Sequence, residues 1–325
     1  MNVNYYYLWS YNKLPFVYSI MNKNEVNVLI INIQDSLDME SRLSELQELE
    51  KIHKIILFKN NLTEYVKNVL YRVFIYPFKK NNKRITFFLD GFVGHYPLQL
   101  ANIGSPDEIK FYEEGESIYY KDVLFNKISK RGFKQKVNEL IKKALFIRRN
   151  SISEITTFYV RDRNRLANLL SLEKATHLEF NVQEVNDVEC IRHLSVIDKK
   201  ILKRVFFSDA RFDFSLKDDE KGRAIILTQP TYLFGIHTKQ EAISLFNSQI
   251  LKLQQEKYKV YLKIHPKEQI DLYIKDNVQR LNGRFPFELL ALYNIYFDKG
   301  VSYNSTAVNS SLIKHKIMLK DKLQG

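Results

Sequence analysis

The chain has 325 residues, of which 45% are hydrophobic and 27% are charged. This composition excludes an intrinsically disordered protein, and the length favours two domains of about 150 residues each. A net charge of +13 indicates an anionic partner, either nucleic acid, an anionic membrane surface or a phosphorylated ligand.

Neither the composition nor the N-terminus indicates export or membrane insertion. No apolar run in the sequence approaches the roughly 20 residues that span a bilayer. The segment 1–19 lacks the basic start and the apolar stretch of a signal peptide. The single cysteine, Cys190, excludes an internal disulfide and fits a reducing compartment. We therefore expect a cytoplasmic protein, with any membrane contact being peripheral on the inner face.

Short apolar runs alternate with amphipathic stretches along most of the chain. The segment 36–52 is typical of these stretches, because its leucines recur at helical spacing. The alternation predicts α/β architecture with parallel sheets and helices on both faces. The predicted strands are 26–33, 54–58, 85–90, 108–113, 156–160, 224–229, 258–264, 294–300 and 316–320.

The predicted strands form two sets, separated by a basic segment at 125–150. Its apolar residues make one helical stripe surrounded by lysine and arginine, which predicts a helix and a domain boundary near residue 152. The domains then span 1–152 and 153–325, as two Rossmann-like halves that face a cleft. The basic segment is either a solvated helix face or a contact with anionic lipid head groups, and the sequence leaves both open.

An acidic pair, Glu113-Glu114, stands at the end of one predicted strand and is followed by Gly115. Adjacent carboxylates that face a cleft repel each other, so one of them is able to serve as a base nearer neutral pH. Gly115 permits a tight turn directly after the pair. A polar loop without a catalytic part is the alternative that this tripeptide leaves open.

The predicted strand 258–264 ends at His265-Pro266. An imidazole, with an ordinary pKa of about 6.5, becomes a cation next to an anion or donates a proton to a leaving phosphate. Pro266 fixes the backbone where the chain leaves the sheet. The pair is therefore a candidate for a ligand site at the end of the strand, and a purely structural strand end is the alternative.

Two further polar groups follow near the C-terminal end. Phe285-Pro286 introduces a helix with Glu288 in its first turn. A carboxylate there accepts hydrogen bonds from both hydroxyls of a ribose. The alternative is an acidic residue that only interacts favourably with the helix dipole. Ser305-Thr306 opens another helix, where hydroxyls and unpaired backbone N–H groups suit a single phosphate. Simple N-capping is the alternative for this pair.

In this order, from residue 113 to residue 306, the four groups resemble the motifs of bacterial sialyltransferases. The resemblance is to glycosyltransferase family 52 and its polysialyltransferase relatives, which share an acidic pair with glycine, a His-Pro motif and a Ser-Ser/Thr motif. The stretch 285–289 is similar to the acidic helix start with which the family binds the cytidine ribose. The match to the family is ambiguous at the hydroxyl pair, because Ser310-Ser311 lies five residues after Ser305-Thr306 and is an alternative match to the same motif. It implies a GT-B type fold of two Rossmann-like domains that face a cleft.

The resemblance also implies an activity, namely transfer of sialic acid from CMP-sialic acid to a terminal galactose with inversion and an expected α-2,3 linkage. The product would belong to a capsule polysaccharide or a lipo-oligosaccharide. Glu114, or else Glu113, would remove the acceptor proton, while His265 would bind or protonate the CMP phosphate. The residues expected to bind the donor are His265, Pro266, Glu288, Ser305, Thr306 and Gln229, with the cytosine near Thr228-Gln229-Pro230.

No metal is expected, because CMP lacks the diphosphate that a bound Mg²⁺ bridges. The expected acceptor is a galactose-ended oligosaccharide, lipid-linked if segment 125–150 contacts a membrane, and a homodimer is compatible with the family. One alternative is another two-domain glycosyltransferase with a different nucleotide-sugar donor. The other is a non-catalytic basic protein that binds nucleic acid, for which the net charge is the only support.

Overall fold

The computed structural model describes most of the chain. The described ranges are 2–33, 40–59, 83–90, 106–113, 155–172, 181–207 and 222–319, with gaps at 234, 266, 269–271 and 282–284, and with the isolated positions 63, 66, 67, 99 and 102. The chain divides into two compact units, Met1–Asn186 and Asp187–Gly325.

The first unit contains a seven-stranded parallel sheet in the order β3-β2-β1-β4-β5-β6-β7. The strand order switches direction between β1 and β4, as in Rossmann folds. The strands are β1 (Asn2–Leu8), β2 (Val26–Asn32), β3 (Lys54–Phe58), β4 (Arg84–Leu89), β5 (Glu108–Tyr112), β6 (Ile155–Val160) and β7 (Asn181–Glu184).

Aromatic side chains build the centre of this sheet. Tyr6 of β1 pairs in register with Phe88 of β4, and their rings stack with centroids 4.2 Å apart. Tyr5 and Phe87 stack at 5.0 Å on the neighbouring pair. Such cross-strand ring pairs stabilise a sheet beyond the area they bury. The run of tyrosines therefore forms a central strand, although the sequence analysis predicted no strand before residue 26.

The second unit repeats the arrangement with a five-stranded parallel sheet in the order β10-β9-β8-β11-β12. Its switch point lies between β8 and β11. The strands are β8 (Arg223–Leu227), β9 (Lys259–Lys263), β10 (Val278–Leu281), β11 (Phe297–Ser302) and β12 (Ile313–Met318).

Helices cover the sheets in both units. The helix Lys239–Gln255 begins with a capping box between Thr238 and Glu241, and it buries Phe246 and Ile250 against the second sheet. The other α-helices of the described residues are Leu14–Ile20, Glu40–Leu43, Arg163–Leu172, Asp187–Arg192 and Val196–Phe207, and the 3-10 helices are Tyr11–Lys13, Ser44–Glu48, Phe287–Tyr293 and Thr306–Asn309.

All nine predicted strands have a counterpart in the two sheets, and all but the strand 54–58 have shifted ends. Strands β1, β7 and β10 were missed. The predicted boundary near residue 152 differs from the division after Asn186, because β6 pairs with β5 and β7 pairs with β6 in the first sheet. The predicted helix at 125–150 lies outside the described residues.

Candidate functional site

The chain turns at His265 directly after β9, and three hydrogen bonds fix this turn. The hydroxyl oxygen of Thr228 accepts the backbone N–H of His265 at 2.9 Å. The backbone N–H of Glu268 donates to the carbonyl of His265, also at 2.9 Å. The ring Nδ1 accepts the N–H of Lys267 at 3.2 Å, so a neutral ring carries its proton on Nε2. Pro266 lies outside the described residues.

The environment of His265 favours the neutral imidazole. Burial lowers the pKa of His265 to about 4, and the positive charges of Lys263 and Lys267 act in the same direction. The sequence predicts a ring that is cationic beside an anion. In the absence of such an anion the ring is neutral at pH 7, and Nε2–H is a hydrogen-bond donor without a charge.

A lysine and a glutamate accompany His265 at the same edge of the sheet. Lys263, the last residue of β9, has its Nζ 4.6 Å from the centroid of the Phe285 ring. Burial lowers the pKa of Lys263 to about 8, and attraction to the carboxylate of Glu288 opposes this shift. Glu288 is buried in the first turn of the 3-10 helix Phe287–Tyr293, as predicted from Phe285-Pro286. The buried carboxylate and the ammonium group partly compensate each other.

The predicted phosphate loop follows β11. The hydroxyl of Ser302 accepts the N–H of Ser305 at 3.0 Å, and the hydroxyl of Ser305 accepts the N–H of Ala307 at 3.4 Å. Ser305 is thus the N-cap of the 3-10 helix that begins at Thr306. The competing Ser310 is buried and accepts the N–H of Leu312 at 3.3 Å. Ser305 is partly exposed, whereas Ser310 is buried, so Ser305 has the better position to donate its O–H to a ligand.

Gln229 connects this loop to β8. Its side-chain Oε1 accepts the backbone N–H of Asn304 at 2.5 Å. The sequence predicts that Gln229 contacts the donor, and in the structure its side-chain carbonyl oxygen binds the loop that carries Ser305. His237 also lies against this loop, with its ring 5.0 Å from that of Tyr303 in an edge-to-face arrangement.

Glu268 is not among the residues predicted from the sequence motifs, and it is buried beside the His265 turn. Its carboxylate accepts the hydroxyl of Thr228 and the hydroxyl of Tyr273, each at 2.5 Å. Burial raises the pKa of Glu268, and both hydroxyl bonds oppose that shift. The only signal in the sequence was a glutamate at the fourth position of a turn that begins at His265.

In the first unit, the structure describes one residue of the acidic pair. Glu113 follows β5 and is buried. Its Oε2 accepts the backbone N–H of Arg161 at 2.8 Å, and its Oε1 accepts Nη1 of the same residue at 3.2 Å. The guanidinium of Arg161 also lies 5.0 Å from the ring of Phe16. Both carboxylate oxygens of Glu113 thus contact Arg161. Glu114 and Gly115 lie outside the described residues.

Within the described ranges, no group of three or more His, Cys, Asp or Glu residues is arranged to hold a metal ion. Among the helices of those ranges, none has both the length and the apolar character that a membrane span requires.

Comparison by sequence identifies no relative, since no protein-family model and no curated protein matches the chain. Solved structures do match. An α/β-galactoside α-2,3-sialyltransferase from Photobacterium phosphoreum is 16% identical with a TM-score of 0.57, covering 98% of this chain and 90% of its own. A 2,6-sialyltransferase from a Photobacterium species, solved with CMP and lactose, is 12% identical with a TM-score of 0.55, covering 97% and 71%.

A third structure connects the fold with its class. The GT-B domain of a sialyltransferase from Photobacterium damselae is 13% identical with a TM-score of 0.54, covering 97% of this chain and 90% of its own. The likeness extends over nearly the whole chain, and both units have the Rossmann-like strand order. The predicted fold class is therefore confirmed: the chain has the GT-B fold of these bacterial sialyltransferases.

Proposed function

We propose that the protein is an inverting sialyltransferase, which transfers sialic acid from CMP-sialic acid to a terminal galactose of a surface polysaccharide or oligosaccharide with an α-2,3 linkage. The observation that carries this proposal is the carboxyl edge of the second sheet. There the His265 turn follows β9 and the Ser305 loop follows β11, the strands on either side of β8, while Glu288 lies on the 3-10 helix after β10. Ligands of open α/β sheets bind at this position.

The donor would occupy this edge with its nucleotide. Nε2–H of His265 donates to a phosphate oxygen, and the hydroxyl of Ser305 donates to another. The negative charge of the phosphate favours protonation of the ring, so His265 is then able to protonate the departing group. The Glu288 carboxylate accepts the ribose hydroxyls, with Lys263 beside it as the compensating charge. Pro266 and Thr306, which adjoin His265 and Ser305 in the sequence, are also proposed to contact the donor.

The reaction is a single displacement. An acceptor hydroxyl attacks the anomeric carbon of sialic acid on the face opposite CMP, and its proton passes to a carboxylate base. The bond from the anomeric carbon to the phosphate oxygen breaks, and its electron pair leaves with CMP, where His265 and Ser305 stabilise the charge. Because attack and departure occur on opposite faces, the configuration inverts.

The proposed base is Glu114, because Glu113 already has a structural part. Both oxygens of Glu113 accept hydrogen bonds from Arg161, and a proton taken up by Glu113 would disrupt this pair. A base typically contributes about 10²–10⁴-fold to the rate. We therefore assign proton removal to Glu114 and the anchoring of the strand end to Glu113.

The structural neighbours support the donor and the acceptor. One of them was solved with CMP and lactose, and another acts on galactosides. The two differ in linkage, α-2,3 in one and 2,6 in the other. The products formed from CMP-sialic acid and lactose, separated and analysed by NMR, decide between these linkages.

The first test is thermal stability in the presence of CMP, CDP, UMP and UDP, with wild type and His265→Ala. A shift with CMP that is greatly reduced in His265→Ala supports the proposal. Equal shifts with UDP favour a glycosyltransferase with a different donor. No shift with any nucleotide, together with salt-sensitive retention on DNA, favours the nucleic-acid-binding alternative.

The cellular setting stays a prediction. We expect a cytoplasmic enzyme that acts without a metal, with a lipid-linked acceptor at the inner membrane face and contact through the segment 125–150. Sedimentation with vesicles of anionic or of neutral lipid tests the membrane contact, light scattering tests for a homodimer, and activity in the presence of EDTA tests the metal.

A further inference from the structure

The carboxyl end of β8 holds both candidate ligand loops of the second unit. Thr228 and Gln229 are consecutive, and β8 lies between β9 and β11. On one side the Thr228 hydroxyl accepts the N–H of His265 at 2.9 Å. On the other side Oε1 of Gln229 accepts the N–H of Asn304 at 2.5 Å. Two adjacent side chains therefore bind the backbone of two loops that are distant in sequence.

Glu268 fixes the direction of the Thr228 hydroxyl. The hydroxyl oxygen accepts from His265, and its own proton is donated to Glu268 at 2.5 Å. The second carboxylate oxygen of Glu268 is held by Tyr273 at 2.5 Å, and the backbone N–H of Glu268 closes the turn on the His265 carbonyl at 2.9 Å. Thr228 and Glu268 are both buried, and hydrogen bonds in such chains strengthen one another away from water.

We propose that Thr228 and Gln229 form a two-sided clamp, which holds the His265 turn and the Ser305 loop at the spacing that one phosphate requires, and that Glu268 locks the Thr228 side. The proposal rests on the proposed function, in which His265 and Ser305 contact the same CMP phosphate. The three residues of the clamp are positioning residues. Loss of the Thr228 bond displaces His265 from the phosphate, and loss of the Gln229 bond displaces Ser305 from it. Either loss leaves the ribose contact of Glu288 in place.

The test compares affinities for CMP and for cytidine, which lacks the phosphate. Thr228→Val deletes the acceptor for His265 at nearly constant shape, and Thr228→Ser retains it. Gln229→Leu deletes the acceptor for Asn304. The matched control is Thr238→Val, the same chemical change at a helix cap in the same unit, where the hydroxyl accepts the N–H of Glu241 at 3.2 Å.

Calorimetry should show that Thr228→Val and Gln229→Leu each lower CMP affinity by about tenfold or more, which is the range of one lost hydrogen bond to a charged group. Their affinity for cytidine should change by less than about threefold. Thr228→Ser should bind CMP nearly as wild type does. Thr238→Val should lower the melting temperature and retain CMP affinity. If CMP and cytidine affinities fall together, or if neither falls, the clamp proposal is overturned.

A second measurement needs no nucleotide. In ¹⁵N NMR of histidine-labelled protein, the His265 ring, assigned by its loss in His265→Gln, should show the Nε2–H form in wild type and an averaged form in Thr228→Val. If wild type binds no CMP, the proposed function fails and this ring signal decides the clamp. The Thr228 side of the clamp stands when Thr228→Val changes the signal, and it falls when the signal is unchanged.

Discussion

The pair Glu113-Arg161 separates the two acidic residues experimentally. In Glu113→Gln the charge of Arg161, whose side chain is 14% exposed beside a carboxylate that is 3% exposed, loses the counter-charge of Glu113. Removing one partner of a buried pair destabilises by about 3–5 kcal/mol. The two bonds of 2.8 and 3.2 Å leave one acceptor in glutamine, so we expect about 3 kcal/mol. That corresponds to a melting temperature lower by roughly 6–12 °C.

The assay pairs this variant with Glu114→Gln. Scanning fluorimetry gives the melting temperature, and turnover of CMP-sialic acid with lactose at a temperature where both variants are folded gives kcat. We expect Glu113→Gln to lose stability with a kcat within about fivefold of wild type. Glu114→Gln should lose about 10²–10⁴-fold in kcat and retain CMP binding. A Glu113→Gln variant that melts like wild type but loses 10²-fold or more in kcat would refute the assignment.

Three further outcomes follow from the second unit. The folded-state pKa of His265, about 4, lies below its unfolded value of 6.5, so stability falls as the pH is lowered through this window. Urea unfolding at pH 6.5 and 4.5 should show a loss of about 1–3 kcal/mol in wild type that is smaller in His265→Gln. The pKa of Lys263, about 8, likewise lies below its ordinary 10.5, so stability should rise between these values in wild type and not in Lys263→Met. A Cβ at Gly300 would lie 2.6 Å from Cδ1 of Ile313. Gly300→Ala should therefore destabilise the protein by about 1–3 kcal/mol. In Gly300→Ala/Ile313→Ala the melting temperature should fall by less than the falls of the two single variants added together. Simple additivity of the two falls would contradict the clash.

The sequence predicts the fold well where its signals are local. Aliphatic runs with turn residues between them locate nine of the strands, and the order of the motifs indicates two Rossmann-like units. β1 was missed because its run is built of tyrosines, which favour strands as aliphatic residues do but carry a polar hydroxyl. The predicted boundary near residue 152 precedes the division after Asn186, because a parallel sheet accepts a new strand after any long connection, so spacing along the chain does not identify the sheet.

Of the candidate site, only the residues proposed to contact the ligand could be proposed from the sequence. His265, Glu288 and Ser305 stand next to recognisable strand ends or helix starts. The residues that hold them do not, since Thr228 binds Glu268 across 40 positions and Gln229 binds Asn304 across 75. The pairing of Glu113 with Arg161 likewise spans 48 positions. Such partners depend on strand order, which the sequence does not display.

The position of β1 has a consequence for folding and handling of the protein. β1 is bonded on both edges, to β2 and to β4. Without it the sheet would separate into a β3-β2 ribbon and the four strands β4 to β7, each with an open edge of the kind that promotes aggregation. The edge of β1 that pairs with β4 stays open until β4 has formed, and such non-local pairing slows folding. Changes within β1 therefore act on the middle of the sheet.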